Sequence, residues 1–192
     1  NGAKQSIINV LSAIINDGDE VILPAPYWVS YDEMVKLVGG TSVFIQTSID
    51  TEFKITAEQL EKAITPKTKA LLYSSPCNPS GSYYTGEELE AIANVIAKYP
   101  DITIISDEIY EFINYEGKHV SIASFPQVYE QTAVINGMSK AFAMTGWRIG
   151  YSACPEWLAK ACDKVQGQMT SGANTVAQRA SITAMQMDPS EL

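Results

Sequence analysis

The chain has 192 residues, of which 46% are hydrophobic and 18% are charged, the balance of a globular protein with one substantial core. Its formal net charge of −9 at pH 7 repels the phosphates of nucleic acids and of anionic membranes, so we expect neither as a partner. One histidine and three cysteines without CxxC spacing offer little for histidine triads or metal ligation. We therefore expect no metal site, reduced thiols and a cytoplasmic protein.

Taken in chain order, the hydrophobic pattern alternates between helices and strands. An apolar helix face follows the Gly2-Ala3-Lys4 turn and ends near Gly18, and the unpaired amides at its start form a potential anion site. Strands are predicted over 20–23, 41–46, 69–74, 101–106, 132–135 and 149–153, and helices over 31–38, 85–99, 155–168 and 174–187, with a short helix after residue 56. Because short loops join these elements, we expect a doubly wound parallel sheet with helices on both faces, a three-layer α/β/α fold.

The segment 136–150 places Lys140 just beyond the predicted strand 132–135, among aromatic and apolar residues. We therefore expect Lys140 to be buried, and a desolvated amine favours its neutral form, which is the nucleophile and Schiff-base former. Ser139 and Arg148 flank the lysine as a hydroxyl and a forked cation, groups that hold a phosphate. The alternative is that Lys140 reaches solvent and Arg148 forms a surface ion pair.

Other predicted strand ends carry side chains whose roles the residues alone leave open. Trp28 either packs in the core or stacks on a flat ring, and Asn78 either shapes its proline-rich turn or binds a ligand. Asp107 either caps a following helix or stands beside a pyridine nitrogen, where a carboxylate keeps that nitrogen protonated. Tyr110 follows closely enough to reach the same ring. Because ligands bind outside the carboxyl ends of strands in open α/β sheets, we expect these residues to converge with Lys140.

Ser139-Lys140, five residues and then Gly-Trp-Arg-Ile-Gly resemble the cofactor-lysine signature of the class I and II aminotransferases, which are pyridoxal-phosphate enzymes of fold type I. Four more stretches resemble motifs of that family, in the family's order. They are Gly2-Ala3-Lys4, Pro-Ala-Pro-Tyr-Trp-Val-Ser-Tyr at 24–31, Asn-Pro-Ser-Gly at 78–81 and Asp-Glu-Ile-Tyr at 107–110. The stretch 24–31 is most similar to the bacterial aspartate aminotransferase branch.

The resemblance implies an activity and a role for each residue. It implies that Lys140 forms a Schiff base with pyridoxal 5′-phosphate and moves a proton on the substrate, while Asp107 stabilises the carbanion through the ring nitrogen. The amino group would pass from an L-amino acid, aspartate in this branch, to a 2-oxo acid such as 2-oxoglutarate. In the same way, Asn78 and Tyr110 would hold the ring oxygen, Trp28 would stack on the ring, and Gly2, Ala3, Lys4, Ser139 and Arg148 would hold the phosphate.

The resemblance also implies how the chain relates to a whole enzyme. Members of the family are much longer, and residues 1–192 resemble their cofactor-binding large domain. The N-terminal segment would be absent, as would the small domain whose arginine binds the substrate's α-carboxylate. The family is homodimeric, and its mostly parallel sheet has the strand corresponding to 149–153 reversed. Lys4 would meet the second carboxylate of aspartate, or alternatively it is a solvated residue of the first helical turn.

Other functions stay open on the sequence. A pyridoxal-phosphate lyase of the same fold would use the same cofactor residues, and an aromatic amino acid aminotransferase would differ in substrate. The 192 residues by themselves would be an inactive or non-catalytic cofactor-binding domain if the absent segments are needed. An unrelated α/β hydrolase is disfavoured, because the sequence has no Gly-x-Ser-x-Gly motif and only His119 as a candidate catalytic histidine.

Overall fold

The computed structural model describes residues 1–115 and 117–188, and within these ranges six strands form one sheet. The strands are β1 (Glu20–Ala25), β2 (Thr41–Gln46), β3 (Thr68–Ser74), β4 (Thr103–Asp107), β5 (Thr132–Gly137) and β6 (Gly150–Ala153). The α-helices are α1 (Ala3–Ile14), α2 (Ser30–Leu37), α3 (Ala57–Ala63), α4 (Gly86–Ile96), α5 (Glu156–Met169) and α6 (Thr175–Ala184). Short 3₁₀ helices cover Ile49–Thr51, Ile122–Ser124, Pro126–Gln131 and Thr145–Trp147.

The sheet has the order β2-β1-β3-β4-β5-β6. All neighbouring strands from β2 to β5 are parallel, whereas β6 runs antiparallel to β5. This arrangement confirms both the predicted doubly wound sheet and the reversed last strand. It also brings the carboxyl ends of β1, β3, β4 and β5 to one edge of the sheet.

The central strands are apolar on both faces because helices cover both faces. In β3 and β4, Ala70, Leu72 and Ile105 pack in the core cluster that includes α1, α2 and α5. The alternating residues Leu71 and Ile104 pack in the opposite cluster, against α3 and α4. Side chains alternate between the two faces along a strand, so Asp107 lies on the α1 and α2 side with Ile105, as the parity of β4 requires.

Strand β1 is longer than predicted, since it continues through Pro24 to Ala25. Its pairing with β3 ends at Ile22, while its pairing with β2 continues to Ala25. A proline lacks the backbone donor of an internal ladder, and at Pro24 the strand has a partner on one side only.

Helices α4 and α6 were predicted to end near residues 99 and 187. Each ends three residues earlier, at Ile96 and Ala184. In both places the backbone continues in tighter turns. Tyr99 donates to the Ile96 carbonyl and Met187 donates to the Ala184 carbonyl, three residues back. The apolar spacing therefore predicted both helical segments correctly, but the last turn of each has 3₁₀-type hydrogen bonds. Within the described ranges, every helix is too short or too polar to cross the apolar interior of a bilayer.

Candidate active site

A cavity of about 270 Å³ opens at the edge of the sheet where the parallel strands end. Nine of the ten residues predicted from the sequence line it: Ala3, Lys4, Trp28, Asn78, Asp107, Tyr110, Ser139, Lys140 and Arg148. Tyr31, Ser74, Ile109 and Thr145 complete the lining. The tenth predicted residue, Gly2, does not line the cavity but is the N-cap of α1 beside Arg148. The predicted convergence of separate strand ends is thus confirmed.

Asp107 is the buried acid of the cavity, with only 4% of its surface exposed. Its Oδ2 accepts a hydrogen bond of 2.6 Å from the Tyr31 hydroxyl, and its Oδ1 accepts one of 3.3 Å from the Ile109 amide. Burial raises the pKa of Asp107 to about 6, while these two donors and the nearby Lys140 act in the opposite direction. No helix follows Asp107 within the described residues up to 115, so the helix-cap alternative does not apply.

Lys140 lies at the mouth of the cavity rather than inside the protein. The expectation that it is buried is wrong, because the side chain is exposed. Ser139, the preceding residue, is buried, so the chain turns outward at the lysine itself. The Lys140 Nζ lies 5.6 Å from the centroid of the Tyr110 ring, which is within the range of a cation–π contact. The exposed Lys140 side chain therefore lines the same cavity as the buried Asp107.

The first turn of α1 forms one end of the cavity. The Ala3 and Lys4 amides precede the first intrahelical bond, which Gln5 donates to the Gly2 carbonyl at 3.0 Å. Gly2 has a positive φ of 82°, and a Cβ there would lie 2.2 Å from an Arg148 guanidinium nitrogen. The helix start and the guanidinium are consequently close neighbours, as an anion site requires.

Arg148 is exposed, and its Nη1 donates to the Thr145 carbonyl at 2.8 Å. Among the described residues, no carboxylate lies within 4.0 Å of Lys4, Lys140 or Arg148. The surface ion pair considered for Arg148 is therefore not formed in this part of the chain. Three cationic side chains and one carboxylate, Asp107, give the cavity an excess of positive charge in a protein of net charge −9.

Part of the cavity wall is formed by the aromatic residues Trp28 and Tyr31. Trp28 is half-buried and packs edge-on against Tyr31, with the ring centroids 5.5 Å apart. The Lys4 Nζ lies over the Trp28 ring, 4.7 Å from its centroid. Asn78 lines the same cavity from the loop after β3 and is half-buried, so it is more than an exposed turn residue.

His119, for which the sequence suggested no role, belongs to a polar cluster outside the cavity. Its Nε2 forms a hydrogen bond of 2.8 Å with Oε2 of the buried Glu108. The other Glu108 oxygen accepts from the Ser106 and Ser121 hydroxyls at 2.9 and 2.7 Å. One ligand-type atom from each of Glu108, Glu111 and His119 lies within 4.8 Å of the others. The hydrogen bonds to Glu108 explain this cluster as a structural tie between β4 and the 3₁₀ segment after Ser121.

Sequence reasoning missed Tyr31, the residue that contacts Asp107 most closely. The signal was the spacing of Trp28 and Tyr31, because the turn that leads into α2 brings residues three apart close together. The backbone supports this reading, since the Tyr31 amide donates to the Trp28 carbonyl at 2.9 Å.

Comparisons with known proteins agree with this geometry. Residues 1–192 match the family described as Aminotransferase class I and II. A probable aspartate/prephenate aminotransferase of Rhizobium leguminosarum bv. phaseoli is 50% identical over 186 residues, which are 96% of this chain and 46% of that protein. The crystal structure of the aspartate aminotransferase from Rhizobium meliloti superposes with a TM-score of 0.96 at 42% identity, covering 98% of this chain and 48% of that one.

A second solved structure, an aromatic aminotransferase from Pyrococcus horikoshii OT3, has a TM-score of 0.94 at 41% identity and covers 98% of this chain and 50% of its own. The chain therefore spans about half the length of the curated relatives and structures it matches. The match to the family runs over the whole chain and includes each strand end that lines the cavity. By fold, by motif order and by similarity, this chain belongs to the class I and II aminotransferases.

Proposed function

We propose that this chain is the cofactor-binding large domain of a pyridoxal-phosphate-dependent aminotransferase that transfers the amino group of aspartate to a 2-oxo acid. The observation that carries the proposal is one cavity that combines the Lys140 amine, the buried Asp107 carboxylate and an anion site at the start of α1. Because the chain spans about half the length of its relatives, the activity, substrate and partners of the whole protein are part of the proposal.

The residues present fit this cofactor. Its phosphate needs donors and positive charge, which the α1 amides, Ser139 and Arg148 offer at one end. Its pyridine nitrogen needs a carboxylate, and Asp107 is held by two hydrogen bonds in the buried part of the cavity. A volume of about 270 Å³ is near the lower end of small-molecule sites, roughly 300 Å³. Excess positive charge in an otherwise acidic protein also favours an anionic ligand.

When bound, pyridoxal phosphate supplies a ring that draws electron density away from the substrate's Cα. Lys140 would hold the cofactor through its amine, and its free amine would take the proton from the substrate's Cα as a general base. Asp107 keeps a proton on the ring nitrogen, which requires its ionised form. Asn78 and Tyr110 bind the ring oxygen, and Trp28 covers one face of the ring.

Lys4 supports aspartate as the substrate. Its ammonium group lines the cavity, has no carboxylate partner within 4.0 Å among the described residues and is positioned by Trp28. A side-chain carboxylate of the substrate would complete a charge-assisted pair there. The names of relatives mention aspartate and prephenate, and both compounds carry a second carboxylate.

Keto-acid dependence in the full-length protein tests the proposal. Loaded with pyridoxal phosphate, it should form more than one oxaloacetate per site from aspartate only when 2-oxoglutarate or prephenate is present to take up the amino group. Repeated turnover of aspartate, well beyond one product molecule per site, without any 2-oxo acid would indicate a lyase and overturn the proposal. Lys140→Ala should abolish the rate, whereas Lys160→Ala, an exposed lysine paired with Glu156 on α5, should leave it unchanged.

The same family membership supports two further parts of the proposal. We infer a homodimer, which is the usual assembly in this family. The molar mass of the full-length protein in solution tests this directly. We also infer a reducing, cytoplasmic location. Cys77, Cys154 and Cys162 are free thiols, which agrees with that compartment.

A further inference from the structure

Tyr31 is almost completely buried, with 1% of its surface exposed, although its hydroxyl is polar. A buried hydroxyl needs a partner, and that partner is the Asp107 Oδ2 at 2.6 Å. The ring is fixed by the core between α1, α2 and β1 and by the edge of Trp28. The hydroxyl therefore approaches the carboxylate from a rigid side chain, and its position is set by the packing of α2.

The Asp107 carboxylate is held on both oxygens. Oδ2 accepts from Tyr31, and Oδ1 accepts from the Ile109 amide at 3.3 Å. Two donors limit the rotation of the carboxyl group and stabilise its ionised form. The titratable groups that act on this pair from the surrounding elements are Glu108 directly after β4, Lys140 after β5, and Cys77 after β3, which acts on Tyr31.

In the buried Asp107–Tyr31 pair, the Tyr31 hydroxyl is the proton donor and the Asp107 carboxylate is the acceptor. Burial raises the pKa of Asp107 to about 6, and the same burial, together with the adjacent carboxylate, raises the pKa of Tyr31 well above its ordinary value. The proton of the pair therefore stays on the tyrosine, which acts as a permanent donor over the physiological pH range.

We propose that Tyr31 is a positioning residue for Asp107, a role that rests on the proposed function and adds a residue to it. The hydroxyl keeps the carboxylate ionised and oriented toward the cavity, so that the ring nitrogen of the cofactor meets a prepared acceptor. Two proposed contacts to the same ring are thereby linked, because Trp28 lies two residues before α2 and packs against Tyr31 in its first turn.

Carboxyl ¹³C NMR of the cofactor-free, full-length protein tests this role without using catalysis. Tyr31→Phe keeps the ring but removes the donor, so the midpoint of Asp107 should rise from about 6 by roughly one to two pKa units. Tyr84→Phe is the matched control. It removes another buried hydroxyl, one that accepts from the Ile55 amide at 3.0 Å, and should leave the Asp107 midpoint unchanged.

An unchanged midpoint in Tyr31→Phe, or an equal rise in Tyr84→Phe, would overturn the role of Tyr31. Should Tyr31→Phe fail to fold, the unmodified protein still decides. The ¹³Cζ signal of Tyr31 should then titrate with the midpoint of Asp107, and a Tyr31 signal that does not respond would also overturn it. Since neither measurement needs the cofactor, a failure here is distinct from a failure of keto-acid-dependent turnover, which would overturn the proposed function instead.

Discussion

The ammonium group of Lys4 lies over the indole ring of Trp28, with Nζ 4.7 Å from the ring centroid. This contact joins the first turn of α1 to the residues just before α2 and fixes a cation at the rim of the cavity. A cation held on an aromatic face keeps its donors available on the other side. The pair thus presents a positive group to whatever occupies the cavity.

If Lys4 binds the second carboxylate of aspartate, Lys4→Ala should lower kcat/KM for aspartate by roughly ten- to hundredfold, the worth of one charged hydrogen bond. An aromatic amino acid lacks that carboxylate, so its kcat/KM should change little. Steady-state kinetics of the full-length variant with both substrates measures the difference. Lys62→Ala, which removes an exposed lysine of α3, is the control. Equal losses for the two substrates would assign Lys4 to phosphate binding or to no role.

Lys140 should be the residue that pyridoxal phosphate modifies. Adding the cofactor, reducing with borohydride and mapping peptides by mass spectrometry should place the label in the segment 136–150. The reason is local, since Lys140 lines the cavity while Lys160 and Lys98 form exposed ion pairs elsewhere. Label spread over surface lysines, with the same yield in Lys140→Ala, would contradict this assignment.

At neutral pH, the cofactor-free protein should be less stable than a variant in which an uncharged residue replaces Asp107. Its folded pKa of about 6 lies above the ordinary value of 3.8, so its stabilising contribution is complete below pH 3.8 and is lost as the pH rises through 6. Asp107→Asn should therefore raise the free energy of unfolding by about 3 kcal/mol at pH 7.5. Urea unfolding at several pH values measures it, and the gain should shrink as the pH falls toward 4.

The same carboxylate should be needed for turnover. In the full-length protein, Asp107→Ala should reduce kcat by about 10²–10⁴-fold or more while the fold is retained. Circular dichroism controls for folding. A variant with a near-normal kcat would leave Asp107 with a structural role alone, as the acceptor of hydrogen bonds from Tyr31 and the Ile109 amide.

Gly150 should be required for the approach of α1 to β6. A Cβ at this position would lie 2.2 Å from the Ala3 amide nitrogen, so Gly150→Ala must push the helix start away from the sheet. We expect a loss of about 1–3 kcal/mol in unfolding free energy and weaker cofactor binding. Gly167→Ala in α5, where no atom lies within 4 Å, should instead stabilise by about 0.5–1 kcal/mol. Equal stabilities of the two variants would contradict the steric argument.

Produced by itself, the 192-residue chain should self-associate. Trp157, Val176 and Ile182 on α5 and α6 are exposed apolar side chains, and the edge strand β6 exposes alternate residues. Sedimentation velocity over a range of concentrations should show a rising mean mass. Val176→Glu should reduce it more than Thr183→Glu, which adds the same charge to α6 at an exposed polar position. A monomer at every concentration would contradict the prediction that these exposed surfaces cause self-association.

The sequence by itself determined the order of elements and nine of the residues that line the cavity. Apolar runs and their periods report local structure, and the carboxyl ends of parallel strands meet at one edge whatever the details of packing. That is why Asn78, Asp107 and Lys140, from three separate strand ends, were correctly predicted to converge.

Only the tertiary structure decided the hydrogen bonds, the exposure and the pKa shifts of those groups. The Tyr31–Asp107 hydrogen bond joins residues 76 positions apart, and His119 forms a hydrogen bond with Glu108. The exposure of Lys140 likewise depends on the outward turn after Ser139, which no apolar spacing reports. Periodicity shows which face a side chain takes, but a pKa depends on burial and on the donors within a few ångströms. Those distances exist only once α2 is packed against the sheet.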